Sequence, residues 1–172
     1  VNLGNVTRIG AQAFTGTTIN ELVVPATVQR IERQAFENAN INKLVLTEGL
    51  SYIGEAAFRN SMFQTLELPN SVTTIEKRAF VDGKLTTVKI GTSLKTINSS
   101  TFASNQISTI DFSNVETIGE QAFIGNNLGE LTLPNALTTI GNSAFSNSNI
   151  HTIHWGNSIK SIGSSAFSSN QI

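Results

Sequence analysis

The chain has 172 residues, a net charge of −1 and only 13% charged residues, about half the usual share. Near-neutrality leaves no electrostatic footprint for nucleic acid or an anionic membrane, and a surface carried by Ser, Thr, Asn and Gln fits an exported protein. With no cysteine there is no disulfide framework or thiolate metal site, and no run of about 18 apolar residues could span a bilayer.

The chain opens on VNLGNVT and then on Ile9-Gly10-x-x-Ala13-Phe14, which sets a period. Phe14, Phe36, Phe58, Phe80, Phe102, Phe123, Phe145 and Phe167 are spaced by 22 residues, except for 21 between Phe102 and Phe123. An isoleucine stands five residues before each one, from Ile9 to Ile162, and Ala precedes each one except at Thr101. The next stretch, Ile19–Val24, has the form L-x-x-L-x-L, whose alternating second half predicts a short strand with two apolar side chains on one face. Pro25, Pro69 and Pro134 all fall immediately after this strand, where proline ends a ladder without removing a bond from its middle. Thr47, Gly91, Ser113 and Gly156 take that place in other copies.

The φ-x-x-I-G segment that follows predicts a bend or a second short strand. Glu32, Glu76 and Asn98 stand where other copies have Gly, so a strict left-handed backbone is not expected there. The x-x-A-F segment is long enough for about one helical turn, with Phe as the inward plug. IDFSNV, around Ile110–Val115, is one residue short and shares this form with the opening VNLGNV, so a tightened turn is expected at both. The inward columns recur in every copy, for example Leu22, Leu44, Leu66, Val88, Ile110, Leu131 and Ile153. No single copy can bury its own apolar residues, but stacked copies can, because each covers the next.

The expectation is therefore one solenoid domain over 1–172, built of about eight repeats of 21–22 residues with a parallel sheet on one face. No signal peptide opens the chain, which starts in a strand-like stretch and stops in mid-repeat at Ile172. A piece of a longer protein without its caps is expected. Open ends would expose Ile159, Ile162, Phe167 and Ile172, from which end-to-end self-association or fraying follows.

The unit N-x-L-x-x-L-x-L-P-x-x-L-x-x-I-G-x-x-A-F, clearest over Asn126–Phe145, resembles the BspA-like (Treponema pallidum type) leucine-rich repeats, and the I-G-x-x-A-F core is specific to them. The likeness covers the whole chain. The family's frequent Cys after A-F-x-x is replaced by Ala39, Ser61, Gly83, Asn105 and Asn126, and its extra loop residues are missing. The resemblance implies a curved, right-handed leucine-rich-repeat coil with short helical turns and bends outside the sheet. It also implies an extracellular or cell-surface location, and adhesion to host matrix or cell-surface proteins.

The residues pointing outward from the strands form two columns. One is Glu21, Lys43, Thr65, Thr87, Thr109, Glu130 and Thr152; the other is Val23, Val45, Glu67, Lys89, Asp111, Thr132 and His154. Such a face is broad enough for a protein partner, although Thr and mixed charge also serve simply to solvate a sheet, and aromatic anchors are missing from it. Trp155 falls in an inward column and is expected to fill the core. His151 and His154, an odd number of residues apart, would point to opposite faces of a strand, and no metal site is expected. Gly125 and Gly129 lack the spacing of a phosphate loop, no G-x-S-x-G occurs, and no cofactor or enzyme chemistry is expected. The basic residues Arg30, Arg33, Arg59, Lys77, Arg78, Lys84 and Lys89 interleave with acids and read as a mixed, solvated edge, with anionic-glycan binding the minor alternative. Asn5 and Asn98 begin formal glycosylation sequons.

The leading expectation is a non-enzymatic protein-interaction module of a cell-surface or secreted protein. The alternative is a structural spacer with no ligand of its own, and a glycan-binding surface comes third.

Overall fold

The computed structural model describes residues 1–112 and 114–172; Ser113, one of the residues at the proline position, lies outside them. Each coil contributes strands to two faces. The first face holds the two-residue strands β1 (Arg8–Ile9), β3 (Arg30–Ile31), β5 (Tyr52–Ile53), β7 (Thr74–Ile75), β9 (Thr96–Ile97), β11 (Thr117–Ile118), β13 (Thr139–Ile140) and β15 (Ser161–Ile162). The second holds β2 (Thr18–Val24), β4 (Asn40–Leu46), β6 (Thr65–Glu67), β8 (Thr87–Lys89), β10 (Thr109–Asp111), β12 (Glu130–Thr132) and β14 (Thr152–His154). Pairing is parallel, and equivalent residues of successive coils stand opposite one another: Glu21 faces Lys43, Leu66 faces Val88, and Leu131 faces Ile153. The chain is thus a parallel β-solenoid, as the period predicts, and the second short strand is real.

Between the two faces runs the Ala-Phe segment. Among the described residues it contains no helix. The residues two before and two after each Phe adopt a left-handed conformation instead, as at Gln34 (φ 56°) and Asn38 (φ 57°) around Phe36, or Arg78 and Asp82 (φ 60° each) around Phe80. Alternating handedness turns every second N–H along the stacking axis. The N–H groups of Gln34, Phe36 and Asn38 donate to the carbonyls of Glu55, Ala57 and Arg59 in the following coil, at 2.8–2.9 Å. A helical turn would direct these donors within the segment; the solenoid needs them between coils. The second position after Phe carries the local signal for this, being Gly16, Asn38, Asn60, Asp82 or Gly125 in several copies, types that tolerate the left-handed region.

The phenylalanines form one continuous stack. Successive ring centroids are 5.1–5.5 Å apart and the planes are within 16° of parallel, from Phe14 to Phe167. Phe63 packs edge-on against Phe58 and Phe80, and Phe112 against Phe123 and Phe145. The apolar columns are buried along most of the length, as at Val28, Leu50, Val72, Leu94, Val115 and Leu137. The terminal coils differ: Val6, the first member of that column, and Ile162 and Ile172 are exposed. Trp155 is not core, contrary to its column. It is 52% exposed, with its indole edge-on to Phe167, because no described residue covers its outer side.

The third position after each Phe closes the turn from inside. The Asn126 side-chain amide donates to the carbonyls of Phe102 and Phe123, while its Oδ1 accepts from Ile107 N–H. Asn105 and Asn170 repeat this arrangement. The Ser61 and Ser148 hydroxyls reach Phe58 and Phe123 carbonyls. Polar residues are therefore buried here without a penalty for lost water, since each has its partners.

Glycines after the isoleucine are not left-handed, as expected; they answer to close approach. A Cβ at Gly54 would come within 2.6 Å of Arg33 N in the coil below. At the opening and at the one-residue deletion, Val6 N–H donates to Leu3 and Val115 N–H to Phe112, and in full-length coils Val28 and Leu137 donate to Pro25 and Pro134, so the bond spans three residues in both.

Two stability measurements test this core. Phe80→Ala, in the middle of the stack, is expected to destabilise the fold by about 3–5 kcal/mol, the range for a large buried aromatic. A denaturant melt displaced by less than about 1 kcal/mol would remove the stack from the core. Asn126→Ala, which strands the Ile107 N–H and takes one of two donors from the Phe102 and Phe123 carbonyls, is expected to cost about 1–3 kcal/mol. Asn126→Ser should cost less, because a hydroxyl at this position still reaches the turn carbonyl. A serine variant melting at or below the alanine variant would refute that role.

Candidate functional site

The columns named from sequence stand in register on the second face. Thr65, Thr87 and Thr109 are opposite one another, as are Glu67, Lys89 and Asp111, then Glu130 with Thr152 and Thr132 with His154. Alternation along each strand places the neighbours Leu66, Val88 and Leu131 in the core and leaves these residues outside. Val45, Thr87 and Thr152 are half-buried, and the rest are exposed.

Charges on this face pair along the stack. Lys43 Nζ lies 2.6 Å from Glu21 Oε1, Lys89 Nζ lies 3.0 Å from Glu67 Oε1, and His154 Nε2 lies 2.6 Å from Glu130 Oε1. The hydrogen bond from Lys43 holds the Glu21 carboxyl below the ordinary range. The bond to Glu67, helped by the charges of Glu67 and Asp111, holds the Lys89 ammonium above its ordinary value. All are well solvated, so they contribute little to stability and mainly set the pattern of charge a partner would meet.

His151 lies before β14, which begins at Thr152, so strand alternation does not govern it. It hydrogen-bonds Thr152, and both histidines are exposed. Among the described residues no three His, Cys, Asp or Glu side chains converge as a metal site. On the other edge the interleaved charges do pair: Arg8 and Arg30 share Glu32, Arg59 lies between Glu37 and Asp82, and Lys77 meets Glu55. The Arg30 guanidinium also stacks 3.8 Å over the Tyr52 ring. Asn98 of the second sequon donates its amide to Ile75 O at 2.7 Å, and so serves the fold.

The ladder of the second face is not continuous. Its sheets are β2-β4, β6-β8-β10 and β12-β14, with interruptions after β4 and after β10. The second interruption falls at the one-residue deletion. The first falls where Phe63 replaces the aliphatic residue of its column, and a cleft of about 850 Å³ opens there. Lys43, Val45, Thr65, Glu67 and Lys89 of the predicted columns line it. Leu44 and Leu46, members of inward columns, line it too, with Glu48 and Met62. The only visible signal was Met62, an unbranched apolar residue at a position that is polar in most copies.

A family model of the BspA type leucine-rich repeat region matches residues 7–129 and 95–172, in six copies. A search of curated proteins yields no match. Among solved structures, a leucine-rich cell-surface protein from Faecalibacterium prausnitzii A2-165 superposes with a TM-score of 0.69 at 23% identity, over 88% of this chain and 45% of that one. The pneumococcal vaccine antigen PcpA superposes with a TM-score of 0.58 at 21% identity, over 86% and 35%. The chain spans less than half the length of either, and at such identities the likeness establishes the fold alone. The matched repeats, together with the Phe stack and parallel ladders they describe, place the chain in the BspA-type leucine-rich-repeat family.

Proposed function

We propose that this chain is a non-enzymatic interaction module of a cell-surface or secreted protein, and that it adheres to a protein partner through the β2–β14 face. The observation that carries this reading is the coincidence of two independent features. The outward columns form an in-register surface of paired charge and Thr, and the cleft of about 850 Å³ opens within that surface. Family membership and the cell-surface character of the Faecalibacterium protein support the location. A pure spacer, the second reading, would be served by a uniform hydroxyl and amide coat. This face instead carries Val23 at 42% exposure and Met62 at 46%.

The test is adherence of beads coated with the 172-residue chain to immobilised matrix proteins and to cultured host cells. A Glu67→Ala, Lys89→Ala, Asp111→Ala variant is expected to lose adherence by about tenfold or more while its melting temperature holds, since the three side chains point away from the core. A control variant on the other face, Thr96→Ala with Lys160→Ala, should adhere normally. Unchanged adherence of the triple variant would move the contact off this face, and failure of the unaltered chain to adhere to anything would favour the spacer.

The chain's own end offers a second contact. Of the expected end residues Ile162 and Ile172 are exposed and Ile159 and Phe167 half-buried, Trp155 is exposed as well, and such apolar area favours association. Light scattering is expected to show self-association that a Trp155→Ser, Ile162→Ser variant reduces; a monomer at high concentration would exclude it.

A further inference from the structure

The Phe turns give the solenoid a direction. Gln12, Phe14 and Gly16 donate to the carbonyls of Arg33, Ala35 and Glu37, and each later coil up to Phe145 donates onward in the same sense. Half of each set is therefore left over at the two end coils. The N–H groups of Ser165, Phe167 and Ser169 have no acceptor among the described residues, and the carbonyls of Ala11, Ala13 and Thr15 have no donor. The short-strand face is polar in the opposite sense, since Glu32 N–H donates back to Ile9 and Gly163 N–H back to Ile140. Its last coil ends on the Ile162 carbonyl and its first on the Gly10 N–H, both without a partner among the described residues.

Resting on the reading of the last coil as a second contact, we infer that the first coil of a second copy seats on it head to tail, so that the Phe turns run on from one copy into the next. Three observations select that occupant. Donors meet acceptors only in this arrangement: two last coils placed face to face would set the N–H groups of their Phe turns against each other, unpaired. A partner without the same left-handed turns could match a strand edge, but not this row of donors. Next, Phe14 and Phe167 are half-buried and each is stacked on one neighbour of its column, Phe36 and Phe145 respectively. Seating the first coil on the last sets these two rings together and covers exposed Val6 and Ile162 as their columns are covered elsewhere. Finally, no charge is set directly against its like. In that register Arg8 falls opposite Ser161 and Lys160 opposite Thr7. The contact joins two different surfaces, so every seated copy leaves a last coil open and association continues past two.

Sedimentation of the 172-residue chain over a range of concentrations tests this with two end variants. The unaltered chain should form a series that runs past the dimer. Val6→Lys blocks the first coil and Ile162→Lys the last; both residues are exposed, so both variants should melt normally. Each variant alone should associate about tenfold or more weakly than the unaltered chain. Mixed, they still offer one intact last coil and one intact first coil, and should form a one-to-one dimer and nothing larger. Val6→Ser and Trp155→Ser repeat the experiment with smaller changes. A series that stops at the dimer, Val6→Lys dimerising by itself, or a mixture that stays monomeric would overturn the head-to-tail arrangement. Self-association of the unaltered chain in those cases would still leave the end contact standing, whereas a monomeric unaltered chain would remove both.

Discussion

At each stacked Phe from Phe14 to Phe145, the N–H groups of that residue and of its neighbours two positions to either side donate to the next coil, and this ladder runs unbroken from Gln12, Phe14 and Gly16 to Ser143, Phe145 and Asn147. It depends on a backbone that alternates in handedness, with left-handed residues that are mostly not glycine. Such residues are individually unfavourable by roughly 1–2 kcal/mol. They persist because each turn is fixed by bonds to the coils before and after it and by the stacked rings it carries inward. Asn105, Asn126 and Asn170 then bind the turn carbonyls that point into the coil. The spine of the molecule is thus the Ala-Phe turn, and the sheets are the parts that vary.

That division explains where the fold can tolerate interruptions. The short-strand face breaks once, between β7 and β9, where the Asn98 side chain takes the Ile75 carbonyl that a backbone N–H takes in neighbouring coils. The other face breaks after β4 and after β10. At each of these places the Phe turns on either side stay bonded and the rings stay stacked, so the coils remain aligned while one wall opens. A cleft can therefore form in the middle of a repetitive core without severing the domain. Surface chemistry is free to change on the strand wall because the spine carries the alignment.

Much of this was legible because a solenoid repeats each physical constraint in every coil. The Phe, Ile and Leu columns and the register of Glu67 with Lys89 and Asp111 follow from counting positions. The left-handed turns were half legible. Asn38, Asn60 and Asp82 mark one of the two special positions, but Gln34, Arg78 and Gln121 at the other carry no local preference for it. Trp155 shows the limit of a column: its side chain points as the pattern requires, yet burial depends on whether another coil covers it.

The amino-acid sequence by itself determined the period, the inward columns and the outward ones, because these depend on the alternation and spacing of side chains within a single coil. The tertiary structure alone decided which adjacent coils pair and which part. That outcome involves the Asn98 amide, which takes the Ile75 carbonyl, and the coils that lie to either side. Those are relations between residues about 22 positions apart, and cover of Leu44 and Leu46 is lost only through them.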